Sequence, residues 1–336
     1  MRYNDTVVAD AHVGYTAKRP VVADDHIGHN PHPKGGVPMT TTYSAAISGF
    51  CRTMSVFDAM KLVKNAGYDS IDLSLYVYAA KPDQAMADDR WWRQWVQAVG
   101  TYARELSLPV TQAHAPYEQS IPRDFSYEPP RPIYARMLEA CSLLSCQKLV
   151  FHPLLYPYSI TSPETLQKIH AYNLRWFREL LPLARHYGVV IELENTFDYY
   201  HLQGEQTTEF PFTRGEHMLA LAEGLDADLV KFCLDTGHAN INRLDVPEMI
   251  RTLGGRLDCL HLNDNLGPTG DLHEDLHLFP GEGTLSWPPI YAALKQIGYQ
   301  GVLNLEVVAD LYALPPEKIQ ARLQQGRETL ARDFGA

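Results

Sequence analysis

Six apolar, β-rich runs of this chain end in side chains that bind protons or metals. They are Gln112-Ala113-His114-Ala115-Pro116-Tyr117, Val150-Phe151-His152-Pro153, Ile191-Glu192-Leu193-Glu194-Asn195-Thr196, Leu234-Asp235-Thr236-Gly237-His238, Leu260-His261-Leu262-Asn263-Asp264 and Leu303-Asn304-Leu305-Glu306. A single His or Glu at a strand end reads as a satisfied structural group. Six in register do not, because carboxylates gathered in a low-dielectric pocket must be paired, hydrogen-bonded or metal-bound. A divalent cation would relieve that repulsion. Carboxylate oxygens with imidazole nitrogens, and no cysteine among these end groups, suit Mn2+, Co2+, Mg2+ or Zn2+. A further segment, His273-Glu274-Asp275-Leu276-His277, puts Asp275 and His277 on one face if it is extended. Gly281 and Gly283 fit a tight turn and not a phosphate loop, since no Lys-Ser or Lys-Thr follows them.

The elements that must position these groups follow from hydrophobic period. Strand-like runs at 42–47, 70–75, 110–114, 148–152, 189–194, 231–235, 258–263 and 302–306 start 27 to 44 residues apart. Helical patterns at 55–65, 89–106, 131–145, 163–187, 213–223, 246–253, 288–297 and 316–334 alternate with them. Ser55 and Ser162-Pro163 mark two of the helix starts. Eight strands, each followed by a helix, predict an α/β fold of the (β/α)8 TIM barrel type, with a doubly wound open sheet as the alternative. In a barrel the C-terminal ends of the strands carry the chemistry, and that is where the His and acidic groups fall. Residues 1–38 are rich in turn formers, as in Asn30-Pro31-His32-Pro33-Lys34-Gly35-Gly36-Val37-Pro38. They are expected to form an irregular N-terminal extension or cap, with residues 39–336 as the barrel.

Composition removes other classes. The 336 residues are 45% hydrophobic and 21% charged, which excludes a wholly disordered chain. The net charge, 29 − 40 = −11, weighs against general attraction to nucleic acid. Five cysteines, odd in number and without a C-x-x-C, indicate neither a disulfide framework nor a cysteine zinc site and point to a reducing cytoplasm. No run approaches the ~18 apolar residues that cross a bilayer, and the N-terminus lacks the build of a signal peptide.

The succession His-Ala-Pro-Tyr, His-Pro, Glu-Asn-Thr, Asp-Thr-Gly-His, His-Leu-Asn-Asp, Asp-x-His with Pro-Gly-Glu-Gly-Thr-Leu, and a last strand ending in Glu resembles the xylose isomerase-like barrel superfamily over about residues 40–310. That group includes sugar phosphate isomerases and epimerases and endonuclease IV-type enzymes. The resemblance implies that Glu194, Asp235, His261 and Glu306 hold a divalent metal, Mn2+ first among the alternatives, and that Glu194 and Glu306 are catalytic. It implies a substrate-binding or further metal role for His238, and for His114, His152, Asp275 and His277, which match a trinuclear zinc site in the nuclease branch.

The expected activity is an isomerase or epimerase that moves a proton next to a sugar carbonyl through an enediolate. The expected partner is a small sugar or glycoside, with a homo-oligomer allowed. One alternative is a metal-dependent lyase or hydrolase on a glycoside, working with a partner subunit. The other is an endonuclease IV-type zinc phosphodiesterase on abasic DNA, for which Tyr117 fits a wedge but Glu118, Glu205 and Glu209 would repel phosphates. Glu192 shares a face with Glu194 and is an alternative ligand or a buried partner for a cation. Phe50, Tyr76, Trp92, Phe197, Trp287 and Tyr312 are candidate apolar walls, and Arg123, Arg131 and Arg214 candidate rim cations, few enough to favour an unphosphorylated sugar.

Overall fold

Short β-branched and apolar runs form eight strands among the described residues: β1 (Tyr43–Ala46), β2 (Ser70–Leu73), β3 (Val110–His114), β4 (Lys148–Phe151), β5 (Val190–Glu194), β6 (Val230–Asp235), β7 (Leu257–His261) and β8 (Leu303–Leu305). The computed structural model describes residues 41–79, 84–117, 119–197, 210–268, 275–308 and 311–335. The extension expected at 1–38 lies outside them, as do Glu118, Glu205, Glu209, His273, Glu274 and the side chain of Tyr312.

Neighbouring strands pair in parallel in the order β7-β6-β5-β4-β3-β2-β1-β8. The ring closes one residue past β7, where Leu262 bridges Leu305. There Leu262 N–H donates to the Asn304 carbonyl at 2.9 Å and Glu306 N–H to the Leu262 carbonyl at 3.2 Å. Closure therefore falls between His261 and Glu306, and it sets these two side chains beside each other.

The helices are α1 (Val56–Asn65), α2 (Trp92–Glu105), α3 (Pro132–Leu143), α4 (Pro163–Tyr187), α5 (Gly215–Glu223), α6 (Thr236–Ile241), α7 (Val246–Leu253), α8 (Trp287–Gln296) and α9 (Pro316–Gly335). Ser55 Oγ accepts from Asp58 N–H at 3.1 Å and Ser162 Oγ from Thr165 N–H at 3.3 Å, so both predicted starts are true N-caps. Two details differ from the pattern-based expectation. The run at 70–75 leaves the sheet after Leu73 and turns into a 3-10 helix at Leu75–Tyr78. The short helix α6 sits inside the Asp-Thr-Gly-His motif, too brief to show a 3.6-residue period, and is started by Asp235, whose Oδ1 accepts from His238 N–H at 2.7 Å.

Strand alternation separates two layers. Leu149 and Phe151 on β4, Ile191 and Leu193 on β5, and Phe232 and Leu234 on β6 join the buried helix faces in one apolar core. Val150, Cys233 and Cys259 form a small separate cluster on the other face, inside the barrel. Above that cluster the barrel interior becomes polar.

Candidate metal centre

The nine histidines and carboxylates singled out in the sequence converge in three groups whose ligand-type atoms lie within 4.8 Å of one another. Glu194, Asp235, His261 and Glu306 make one, His114, His152 and Glu194 the second, and His238, Asp275 and His277 the third. His261 Nδ1 stands 2.8 Å from Glu194 Oε1 and 3.0 Å from Glu306 Oε2. The Nε2 atoms of His114 and His152 each lie 3.0 Å from Glu194 Oε2. Glu194 thus turns one oxygen to each of the first two groups. In the third, Asp275 Oδ2 is 2.9 Å from His277 Nε2 and 3.7 Å from His238 Nε2.

The imidazole hydrogen bonds test whether a cation fits. Nδ1 of His114 meets the Ala115 carbonyl at 2.7 Å, that of His238 the Asn195 carbonyl at 2.8 Å, and that of His277 the Glu306 carbonyl at 2.9 Å. A carbonyl only accepts, so each Nδ1 carries a proton, and each ring, when neutral, would aim its Nε2 lone pair at a carboxylate. A lone pair facing an anionic oxygen is favourable only with a proton or a metal ion between them. The donor set of buried carboxylate oxygen and imidazole nitrogen is one that divalent ions accept.

The electrostatics tell the same story. Burial would raise the Glu306 carboxyl, but His261 and His277 outweigh it and hold it at about 2. Burial raises Asp235 to about 6, with Glu194 and Glu306 adding to the push against His238 and His277. For His238, desolvation opposes protonation but Asp235 and Asp275 prevail and lift it to about 10. His261 and His277 likewise stand well above the usual imidazole range, burial being outweighed at His261 by Cys233, Glu194 and Glu306 and at His277 by Asp275 and Glu306. Without a metal, imidazolium protons supply the positive charge that the carboxylates require.

A layer of amides holds the ligands. Asn195 clamps the end of β5 to β6, donating to the Asp235 carbonyl at 3.0 Å and accepting from Asp235 N–H at 2.8 Å. Asn263 Nδ2 donates to Asp235 Oδ2 at 2.7 Å. The glycine of the Asp-Thr-Gly-His motif makes room for that contact, because a Cβ on Gly237 would overlap Asn263 Oδ1. Asp264 organises the loop beyond His277: its carboxylate accepts from Gly281 N–H at 3.1 Å, Leu285 N–H at 3.1 Å and Trp287 Nε1 at 2.9 Å. Gly281 makes its turn at φ 89°, in keeping with the reading of this segment as a turn.

Glu192 belongs to none of the three groups. It is fully buried and its carboxyl is pushed well above the usual range, first by desolvation and then by Asp258. A protonated acid one layer below Glu194 makes a poor metal ligand. Asp72 is the residue that motif reasoning missed: its Oδ2 accepts from Gln112 Nε2 at 2.8 Å and lies 3.2 Å from His261 Nε2. The signal available was a carboxylate in the buried run Ser70-Ile71-Asp72-Leu73.

A cavity of about 460 Å³ opens over the groups, lined by Tyr76, His114, Tyr117, His152, Leu155, Glu194, Thr196, Phe197, His238, Asp275, His277 and Glu306. Of the six aromatic wall candidates, Tyr76 and Phe197 line it, while Phe50, Trp92 and Trp287 are buried in the apolar core. Arg123, Arg131 and Arg214 do not line it, and no Lys or Arg does among the described residues.

Eight parallel strands ringed by helices, with acids and imidazoles gathered at the C-terminal mouth, define a TIM barrel whose site has the makings of a metal centre. The chain belongs to the xylose isomerase-like TIM barrel family, matched over residues 60–330. It is 26% identical over 256 residues to D-psicose 3-epimerase of Enterocloster bolteae, covering 74% of this chain and 75% of that one. With the uncharacterized protein MJ1311 of Methanocaldococcus jannaschii it shares 28% over 173 residues, 50% of this chain and about half, 53%, of the relative. With inosose isomerase of Bacillus subtilis it shares 25% over 177 residues, 52% of this chain and 59% of the relative. Among solved structures, D-psicose 3-epimerase in the presence of D-fructose superposes with a TM-score of 0.66 at 15% identity, over 88% of this chain and 100% of that one. The IolI protein with a bound zinc atom gives a TM-score of 0.66 at 18% identity and the same coverage.

Proposed function

We propose that this protein is a divalent-metal-dependent epimerase or isomerase of a small unphosphorylated sugar. The observation that carries this reading is the placement of Glu194 and Glu306, which arrive from β5 and β8 and stand within 3.0 Å of the same His261 nitrogen at the base of the cavity. A divalent ion held by Glu194, Asp235, His261 and Glu306 would polarise the carbonyl and neighbouring hydroxyl oxygens of a sugar. Glu194 and Glu306 supply the base and the acid: one takes the proton from the carbon beside the carbonyl and the other returns it. Two carboxylates on different strands can reach opposite faces of that carbon, as inversion requires. Tyr76 and Phe197 offer apolar surface to the carbon skeleton, and the absence of Lys and Arg from the described lining favours a neutral substrate. The activities after which the relatives are named, psicose epimerisation and inosose isomerisation, support the substrate class. The zinc atom of the IolI structure supports a metal, with Mn2+ our first choice for this chain. The five cysteines, all free thiols, favour a reducing cytoplasmic location.

The test is turnover of a ketose and inosose panel, D-psicose and D-fructose first, by Mn2+-loaded protein in deuterium oxide. Deuterium at the epimerised carbon is expected. Turnover without exchange would sink the proton-transfer route, and no turnover of any sugar would sink the reading itself.

A second reading rests on the two additional ligand groups, His114 with His152 and His238 with Asp275 and His277, which would let a zinc cluster activate water against a phosphodiester. Three zinc ions per chain together with cleavage of abasic DNA would establish it in place of the first.

A further inference from the structure

His114, His238 and His277 each have Nδ1 tied to a backbone carbonyl, which leaves Nε2 for the centre. His261 is reversed. Its Nδ1 faces Glu194 and Glu306, and its Nε2 meets a side-chain carboxylate, Asp72 Oδ2, at 3.2 Å. Both side chains are buried, with 0% and 1% of their surfaces exposed. Asp72 stands on β2, which is separated from β7 around the ring by β1 and β8, so the contact crosses the barrel interior. The acid is itself aimed. Gln112 Nε2 at 2.8 Å and Asn304 Nδ2 at 3.3 Å donate to the same oxygen, and Gln112 is braced in turn on the Leu260 carbonyl at 3.4 Å.

We infer that Asp72 is a positioning residue for the metal centre: its carboxylate holds the proton of His261 on Nε2 and so makes Nδ1 the nitrogen that ligates. The opposite tautomer would turn a lone pair toward the Asp72 carboxylate and a proton toward the metal. A carboxylate on the far nitrogen also raises the basicity of a ligating imidazole, and loss of such a partner typically weakens metal binding by about 10- to 100-fold. Asp72 lies in none of the three ligand groups, so it acts through His261. The inference rests on the metal site proposed above.

Calorimetric titration of the metal-free full chain with Mn2+ tests it, beside thermal melting and histidine 15N spectra of the Zn2+-loaded protein. Asp72→Ala is expected to bind Mn2+ about 10- to 100-fold more weakly. Asp72→Asn, which keeps an acceptor oxygen and loses the charge, is expected to fall between it and the wild type and covers the case in which the alanine variant does not fold. Glu192→Gln, which neutralises a buried carboxyl of the barrel interior that lies outside the three ligand groups, is expected to leave Mn2+ affinity unchanged, whereas a general loss of packing would weaken it in this variant as well. In the spectra His261 should be protonated at Nε2. Unchanged affinity in both Asp72 variants, an equal loss in Glu192→Gln, or a proton on Nδ1 would overturn the inference alone. A wild-type chain that binds no Mn2+ would remove the metal reading and this inference together.

Discussion

Glu194 occupies its place because its two oxygens answer different partners, Oε1 toward His261 and Oε2 toward His114 and His152. Glu306 has a narrower task, with Oε2 on His261 and its backbone carbonyl tied to His277. Replacing Glu306 with Gln keeps the shape and removes one of the two carboxylates proposed to move the proton, so kcat is expected to fall about 10²- to 10⁴-fold. Steady-state kinetics on the best sugar of the panel, beside a melting curve showing the fold intact, checks this. Gly237 offers a test of a different kind. A methyl group there would press on Asn263 Oδ1 and draw its amide from Asp235, leaving a buried carboxylate oxygen short of a donor. Gly237→Ala is expected to cost about 1–3 kcal/mol of stability and to weaken Mn2+ binding, read by chemical denaturation and titration.

At the scale of elements, the two ends of the barrel carry different electrostatics. Away from the candidate metal centre, Lys148 on β4 and Lys231 on β6 pair with Asp258 on β7 at 3.1 and 3.2 Å. Burial would raise the Asp258 carboxyl, but Lys148 and Lys231 outweigh it and hold it below its ordinary value. A folded pKa depressed below the unfolded one contributes stability above the unfolded value of about 4 and loses it as pH falls through the folded value. Melting temperature followed downward from pH 6 should therefore drop in wild type and drop less steeply in Asp258→Asn. An identical acid limb in the two proteins would show that the cluster adds nothing. Element placement was legible from the chain because its signals are local. Ser162-Pro163 starts α4, and alternation such as Ile191-Glu192-Leu193-Glu194 marks a strand with two unlike faces. The helix α6 was not, since six residues capped by a catalytic-looking Asp carry no periodic signature.

On the scale of the whole molecule, a metal at the mouth would tie β5, β6, β7 and β8 together and so act as a stabilising ligand. Chelation is expected to lower the melting temperature and Mn2+ to restore it, since free metal at 100 times its Kd stabilises the fold by about 2.7 kcal/mol. A melting curve indifferent to chelator and to added Mn2+ would count against any structural metal. The chain by itself determined the class of fold and the side chains gathered at the mouth, seven of them because strand period and strand-end chemistry are written within a few residues of one another, and Asp275 and His277 because they alternate in one short segment. Tertiary structure alone decided which nitrogen of His261 faces the acids, that Glu192 sits apart as a buried acid, and that Asp72 reaches across the barrel to that ring. Those facts depend on closure of the ring between Leu262 and Leu305 and on neighbours as far as 189 positions apart, as Asp72 and His261 are, which no local pattern of residues encodes.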